Sequence, residues 1–119
     1  MIYNEAEEYK IKMLEEVRDY IDQVSEKDRS KITKYIEYLR VNKGVLDEPY
    51  SKHIRDKIRE LRVDFSKNHH RIFYFTFINK NIVLLHAFLK NTARAPESEI
   101  IRAERNLIKV LNSKESYED

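Results

Sequence analysis

The hydrophobic pattern of this chain changes its period once, and that change divides the chain into a helical half and a β half. Up to Leu39, apolar residues recur every three or four positions, as on one face of an amphipathic helix. Beyond the segment DEPY (47–50), apolar and polar residues alternate, as they do along half-buried strands. The sequence therefore predicts an α+β fold.

Two helices are predicted in the first half. The first covers residues 9–24, and the segment SEKDR interrupts the pattern, with Ser25 and Asp28 placed to cap the second helix. The only glycine, Gly44, stands where a helix ends in a left-handed residue. We expect the two helices to form an antiparallel hairpin.

The second half predicts a small antiparallel sheet of three to four strands. Residues 61–65, 71–78 and 82–90 form a meander of three strands, rich in aromatic and β-branched side chains. SKNHH (66–70) is the first connection, and its two histidines are expected to be solvated loop residues rather than metal ligands. YKIKM (9–13) fits a strand and a helix equally, so an amino-terminal strand is left open.

A carboxy-terminal helix follows the sheet. Pro96 is predicted in its first turn, and the polar, acidic residues 112–119 are expected to fray. With 119 residues the chain is long enough for one core, so residues 1–119 are expected to form a single domain.

Charge is concentrated in the middle of the chain. Residues 50–94 carry ten Lys or Arg against three Asp or Glu, whereas acidic residues outnumber basic ones on both sides of this segment. Such a patch points to a polyanionic partner, with nucleic acid favoured and a solvated basic surface as the alternative.

The composition argues against several classes of protein. The chain has no cysteine, no glycine-rich phosphate loop and no apolar run long enough to span a bilayer. We therefore expect a cytoplasmic protein without membrane attachment, metal ion or cofactor.

One strand, LLHAFLK (84–90), combines core and candidate site. Strict alternation places Leu84, His86, Phe88 and Lys90 on one face of the sheet. Lys90 at its end joins two other long cations on the predicted sheet, which are Arg62 and Arg71, with Tyr74 and His86 near them in the pattern. Taken alone, His86 is more typical of a hydrogen-bonded core histidine.

Four segments, in this order and spacing, carry a family resemblance. They are ELR (60–62), RIFYF (71–75), LLHAFLKNT (84–92), and Pro96 followed by SEIIRAERN (98–106). The arrangement resembles the RelE/HigB-type toxins of bacterial type II toxin–antitoxin systems, in particular their phage-derived branch. Asn91 and Ala95 depart from that pattern, because members often have lysine and threonine there.

The resemblance implies a metal-free endoribonuclease that cleaves messenger RNA, usually on the ribosome, by attack of the RNA's 2′-hydroxyl on the adjacent phosphate. It implies a fold with an amino-terminal helical hairpin, a sheet and a carboxy-terminal helix. By position it assigns catalysis to Arg62, Arg71 and Lys90, with His86 as a candidate acid or base. It assigns RNA binding to Tyr74 and Phe88 by base stacking, and to Thr92 and Arg94 in the loop after the third strand.

The same resemblance implies a cognate antitoxin, expected to be a helix-turn-helix protein, beside the ribosome and messenger RNA as partners. Two alternatives stay open at this point. ParE-type toxins share the scaffold and inhibit DNA gyrase, and a non-catalytic nucleic-acid-binding module would keep the basic patch without cleaving RNA.

Overall fold

The computed structural model describes residues 8–77 and 79–117 as three α-helices and a five-stranded mixed sheet. The elements in chain order are β1 (Lys10–Met13), α1 (Glu15–Gln23), α2 (Glu26–Val41), β2 (Ser51–Arg55), β3 (Ile58–Phe65), β4 (Asn68–Thr76), β5 (Asn81–Leu89) and α3 (Glu97–Leu111). Over these residues, no helix is both long enough and apolar enough to cross a membrane.

The sheet has the strand order β1-β5-β4-β3-β2. The predicted meander of β3, β4 and β5 is confirmed, but the expected strand number was too low and the sheet is not wholly antiparallel, because β1 pairs parallel to β5. Both added strands lie at sheet edges and are short and rich in Lys, Arg or His. Their backbone pairing, rather than an apolar alternation, defines them.

The helical hairpin is present, and its first helix is shorter than predicted. The segment 9–13 contributes β1, and α1 begins only at Glu15, after the Leu14 amide has bonded to the Leu84 carbonyl. Ser25 caps α2 as predicted, since its hydroxyl accepts a hydrogen bond from the Asp28 amide. These ends fix α1 and α2 over the sheet.

Gly44 has the predicted left-handed conformation, with φ of +89°. A β-carbon at this position would lie 2.7 Å from the Thr76 hydroxyl oxygen. Both the backbone angle and the close approach therefore favour glycine where the chain leaves α2.

Each face of the sheet has its own hydrophobic core. The hairpin covers one face, where the buried side chains include Val17, Ile21, Ile32, Ile36, Leu39, Leu61, Val63, Ile72, Tyr74, Ile82 and Leu84. Helix α3 covers part of the other face, where they include Phe73, Phe75, Val83, Leu85, Phe88, Ile100, Ala103 and Val110. The sheet is thus buried on both sides, except where α3 does not reach.

Helix α3 begins after Pro96, which is its N-cap and provides no side-chain capping bond. Glu97 and Glu99 in the first turn complement the positive end of the helix dipole. The region expected to fray contains a short 3-10 turn, Lys114–Ser116, and Tyr117 packs against the α3 core. Residues 118–119 lie outside the described part of the chain.

Candidate active site

Two arginines lie directly opposite each other on the α3 side of the sheet. Arg62 of β3 and Arg71 of β4 are cross-strand partners, and their neighbours Leu61 and Ile72 point into the hairpin core on the other face. Like charges in directly opposed positions repel. The pair therefore needs a counter-charge.

Glu60 supplies this counter-charge from beneath the arginines. Its side chain is only 1% exposed, and its Oε1 accepts a hydrogen bond of 2.9 Å from Arg62 Nε. The same oxygen lies 4.0 Å from Arg71 Nε. A buried carboxylate is stable only with such cationic partners, so Glu60 and the two arginines form one unit.

The sequence interpretation did not assign a role to Glu60, although the residue stands inside the quoted segment ELR. The available signal was alternation: Glu60 falls on the same face of β3 as Arg62, two positions away. A carboxylate directly beside a candidate phosphate-binding arginine is a candidate positioning residue.

Arg71 is almost fully buried and incompletely hydrogen-bonded. Its Nη1 donates to Asp64 Oδ1 at 2.7 Å and to the His70 carbonyl at 2.9 Å. Its Nε is buried and has no hydrogen-bond partner among the described residues. An unpaired buried donor on a charged group is costly and rare in a folded protein, so it marks a position where an additional acceptor would be stabilising.

Lys90 joins the cluster just beyond the end of β5. Burial lowers the pKa of its ammonium group, and repulsion from Arg71, Arg62 and Lys52 lowers it further, while Glu60 partly offsets the effect. Lys52 stands opposite Glu60 in the pairing of β2 with β3. The lysine therefore gives up its proton more readily than an ordinary surface lysine.

The resulting cationic cluster consists of Lys52, Arg62, Arg71 and Lys90 around Glu60, with Asp64 bonded to Arg71 at its margin. Four cations face two carboxylates. This excess of positive charge on a sheet surface, with rigid guanidinium donors, is suited to binding a phosphodiester and to stabilising charge that develops on its oxygens.

Phe88 is buried beneath this surface and is not exposed for stacking. It is 6% exposed, pairs with Arg71 across the strands, and its ring centroid lies 5.2 Å from that of Phe73. The ring also stacks on His86, with centroids 5.8 Å apart, so its neighbours already occupy its contact surface and the expectation that Phe88 stacks on a base is not supported.

The expected face assignment of β5 holds for His86 and Phe88, which pair with Phe73 and Arg71 on the α3 face, but it was wrong for Leu84, because the strand contains a β-bulge. Phe73 pairs with His86 and Tyr74 pairs with Leu84, which leaves Leu85 as an extra residue. A bulge shifts the two-residue alternation by one position. Leu84 consequently points into the hairpin core, whereas Leu85 and Phe88 point into the α3 core.

Tyr74 was expected near the candidate site, and the structure corrects this prediction. The residue is fully buried on the hairpin face, opposite to the cationic cluster. Its hydroxyl is 2.7 Å from the Ser51 hydroxyl and donates to the Gly44 carbonyl at 2.8 Å. Burial raises its pKa. Tyr74 therefore packs the core and is not placed for base stacking.

His86 is held between two carboxylates. Its Nδ1 lies 2.9 Å from Glu16 Oε1 on α1, and its Nε2 lies 2.9 Å from Glu99 Oε1 on α3. Burial by itself raises the pKa of Glu16. Hydrogen bonds from Arg102 and His86 stabilise its ionised form more strongly, so the pKa of Glu16 is lowered overall. With both nitrogens engaged, His86 ties the two helices to β5, and the candidate acid–base role is not supported by this geometry.

Thr92 and Arg94 are exposed in the loop between β5 and α3. The Thr92 hydroxyl donates to the Arg94 carbonyl. Both side chains are accessible to a large ligand lying over the end of β5, so the structure leaves their predicted RNA contact open.

The two neighbouring histidines lie in β4 and not in a solvated loop. His69 is exposed and 3.1 Å from Asp64 Oδ1. His70 is buried on the hairpin face, where its Nε2 is 2.7 Å from Asp28 Oδ2 and its Nδ1 is 2.7 Å from the Tyr20 hydroxyl. Among the described residues, no group of three His, Asp or Glu side chains is placed to hold a metal ion.

Comparison with known proteins agrees with this architecture. The family model described as Phage derived protein Gp49-like matches residues 19–108. A free-state structure of a mutant of the Escherichia coli toxin RelE superposes with a TM-score of 0.56 at 15% identity, and the match covers 80% of this chain and 96% of that chain.

That structural similarity shows a shared fold, and the described sheet and helices correspond to the fold expected from the sequence resemblance. Among curated proteins, none matches the chain by sequence. Because the family model spans most of the chain, including α2, strands β2 to β5 and most of α3, the chain belongs to the Gp49-like family of phage-derived proteins, a family of RelE-like toxins.

Proposed function

We propose that this RelE-type toxin is an endoribonuclease that cleaves messenger RNA on the ribosome and is neutralised by a helix-turn-helix antitoxin. The observation that carries the proposal is the cationic cluster, in which four cations face two carboxylates and the buried Nε of Arg71 has no acceptor in the described part of the chain. A phosphate oxygen is the acceptor that would suit such a donor beside a second guanidinium. The site would lie in the cytoplasm, where translated messages are found.

The reaction we propose needs no metal ion. The 2′-hydroxyl oxygen of RNA attacks the adjacent phosphorus, the bond from phosphorus to the 5′-oxygen breaks, and the products are a cyclic 2′,3′-phosphate and a 5′-hydroxyl. Arg62 and Arg71 bind the non-bridging oxygens, whose negative charge increases in the transition state. Glu60 positions both guanidinium groups and does not contact the substrate.

Lys90 is the proton donor in this proposal. Its lowered pKa suits protonation of the departing 5′-oxygen, and its place beside Arg71 puts it next to the bound phosphate. His86 is less suitable, because two carboxylates occupy its nitrogens. The proton of the 2′-hydroxyl passes to a group outside the cluster, such as solvent or a ribosomal group.

RNA on either side of the cleaved bond is proposed to contact the loop after β5. Thr92 and Arg94 are exposed there and reach the nucleic acid backbone. If Arg94 contacts a phosphate, Arg94→Ala weakens RNA binding and reduces its dependence on salt, with little effect on the cleavage step itself.

The test is induced expression in a bacterial host, with growth followed and the 5′ ends of messenger RNA mapped. The chain offers a matched control: Arg59 lies on the same strand as Arg62 but donates to Ser51 on the opposite face. Wild type and Arg59→Ala should arrest growth and produce new ends in translated messages, and Arg71→Ala should do neither.

Two other outcomes would reject the proposed chemistry. Growth arrest without new 5′ ends would indicate a ParE-like action on DNA gyrase. RNA binding with neither arrest nor cleavage by the wild type would indicate a non-catalytic nucleic-acid-binding module.

A further inference from the structure

One surface of α2 combines lysines, of which Lys31 is half-buried and donates to the Asp64 carbonyl, with exposed apolar side chains. We call it the α2 ridge, and its members recur every three or four residues along one side of the helix: Lys27, Lys31, Lys34, Tyr38 and Val41. Because this spacing keeps side chains in line on a helix, the ridge is continuous. It lies on the hairpin side of the sheet, away from the cationic cluster.

The carboxy-terminal part of the ridge is unusually apolar for an exposed helix. Tyr38 is 45% exposed and Val41 is 61% exposed, and Val45 and Tyr50 in the following loop are 55% and 48% exposed. These are four of the seven large hydrophobic side chains that are exposed in the described part of the chain. Such clustering is characteristic of a protein-binding surface.

Aromatic contacts make this surface continuous. The Tyr35 ring centroid lies 5.7 Å from that of Tyr38 and 5.8 Å from that of Tyr50. Phe65 at the end of β3 completes a groove of about 790 Å³ beside the ridge. The groove has the shape of a receptor for an amphipathic helix laid along α2.

The charge at the groove selects the partner. Among the described residues, Lys27, Lys31 and Lys34 line it with one carboxylate, that of Glu26. The ammonium groups of Lys31 and Lys34 lie within 6 Å of tyrosine ring centroids, 5.5 Å from Tyr35 and 5.8 Å from Tyr38 respectively. The lysines thus stand at the border of the apolar surface, where they complement acidic side chains that flank an apolar stripe.

We propose that the α2 ridge and its groove bind an acidic amphipathic helix of the antitoxin. The proposal rests on the proposed toxin function for the identity of the partner. A protein is favoured over RNA because exposed valines offer nucleic acid no stacking or hydrogen-bonding partner, whereas they can pack against the apolar face of a partner helix.

The binding test uses two designed helical peptides on the intact chain. Both have leucine at every third or fourth position; one has glutamate and the other lysine at the remaining positions. The glutamate peptide should bind and shift the backbone NMR resonances of Tyr38, Val41 and Phe65. The lysine peptide should bind at least tenfold more weakly, because the ridge is basic.

Paired variants locate the site. Val41→Ser should weaken binding of the glutamate peptide about tenfold, because apolar contact area is lost. Ile108→Ser is the matched control, since Ile108 on α3 is 59% exposed and should have no effect. Arg71→Ala should also leave peptide affinity unchanged. The peptide-binding proposal is therefore tested independently of RNA cleavage.

Three results would overturn the proposal. They are equal binding of the two peptides, equal weakening by Val41→Ser and Ile108→Ser, and resonance shifts of the ridge caused by a single-stranded RNA oligonucleotide but not by the glutamate peptide. The last result would assign the ridge to nucleic acid instead.

Discussion

The two faces of the sheet hold buried charge in opposite ways. On the hairpin face, the Asp28 carboxylate accepts hydrogen bonds from Ser25, Asn68 and His70, and His70 in turn contacts the Tyr20 hydroxyl. On the α3 face, four cations surround Glu60, and no described residue accepts a hydrogen bond from the Nε of Arg71. One network is saturated, and the other carries surplus charge.

This difference separates stability from function. A buried polar network in which the carboxylate and the imidazole both have partners stabilises a unique fold. A cluster with surplus positive charge and an unpaired donor costs stability, and such a cost is expected where a ligand supplies the missing charge. We infer that the hairpin face secures the fold and that the α3 face is ready for a phosphate.

The largest effect should come from Arg71→Ala. Loss of one preorganised donor to the transition state typically lowers turnover by about 10² to 10³-fold, so messenger RNA cleavage on purified ribosomes should fall by that factor. Arg59→Ala should retain the wild-type rate. A wild-type cleavage rate for Arg71→Ala would contradict the assignment of function to the α3 face.

Asp28→Asn should produce the opposite result, a loss of stability with cleavage retained. Hydrogen bonds from His70 and Asn68 lower the pKa of Asp28 below its usual 3.8. The ionised carboxylate therefore stabilises the fold above pH 3.8, and this contribution is lost as the pH falls through the lowered pKa. Urea unfolding across this range should show a pH dependence in the wild type that Asp28→Asn reduces.

If Asp28→Asn instead abolished cleavage while the chain stayed folded, the hairpin network would have a role in function. The near-ultraviolet circular dichroism spectrum of the variant provides the necessary control for folding.

Glu60→Gln should change the charge balance of the cluster while keeping its shape. Glu60 raises the pKa of Lys90 against burial and the nearby cations, so its neutralisation should lower that pKa further. The alkaline limb of the cleavage profile should move toward lower pH. An NMR titration of the Lys90 side chain measures the shift directly, and the exposed Glu115→Gln is the control that should leave it unchanged.

Tyr74→Phe should have the smallest effect. It removes a buried hydroxyl that contacts Ser51 and the Gly44 carbonyl, so the free energy of unfolding should fall by about 1–2 kcal/mol. Cleavage should be unchanged because the side chain lies on the face opposite the cluster. Reduced RNA affinity in a normally folded Tyr74→Phe variant would restore the stacking role predicted from the sequence.

The sequence predicted the elements that are governed by local chemistry. The period-two pattern identified β3, β4 and β5. Ser25 marked the start of α2, and Gly44 marked the left-handed turn that follows the end of α2 at Val41, although Lys43 is left-handed there as well. Edge strands β1 and β2 lack a clear apolar alternation, since their side chains are largely polar and their stability comes from pairing with distant residues.

The candidate site was also predicted only in part, because it combines local patterns with contacts between distant residues. Arg62 and Arg71 were predicted on the sheet, and the structure brings them together as cross-strand partners. The bulge at Leu85 could not be read from composition, because it depends on the register between β4 and β5. The pattern of a single strand does not show which helices pack over it. The environments of Tyr74, His86 and His70 depend on those helices, so they could not be predicted.

The most direct test of the central claim compares both faces in one NMR titration with a short RNA whose attacking hydroxyl is replaced by a 2′-O-methyl group. The account predicts that the side-chain resonances of Arg71 and Lys90 shift with RNA concentration while those of His70 and Tyr20 stay in place. Shifts at His70 and Tyr20, with Arg71 and Lys90 unchanged, would contradict the assignment of the phosphate site to the α3 face.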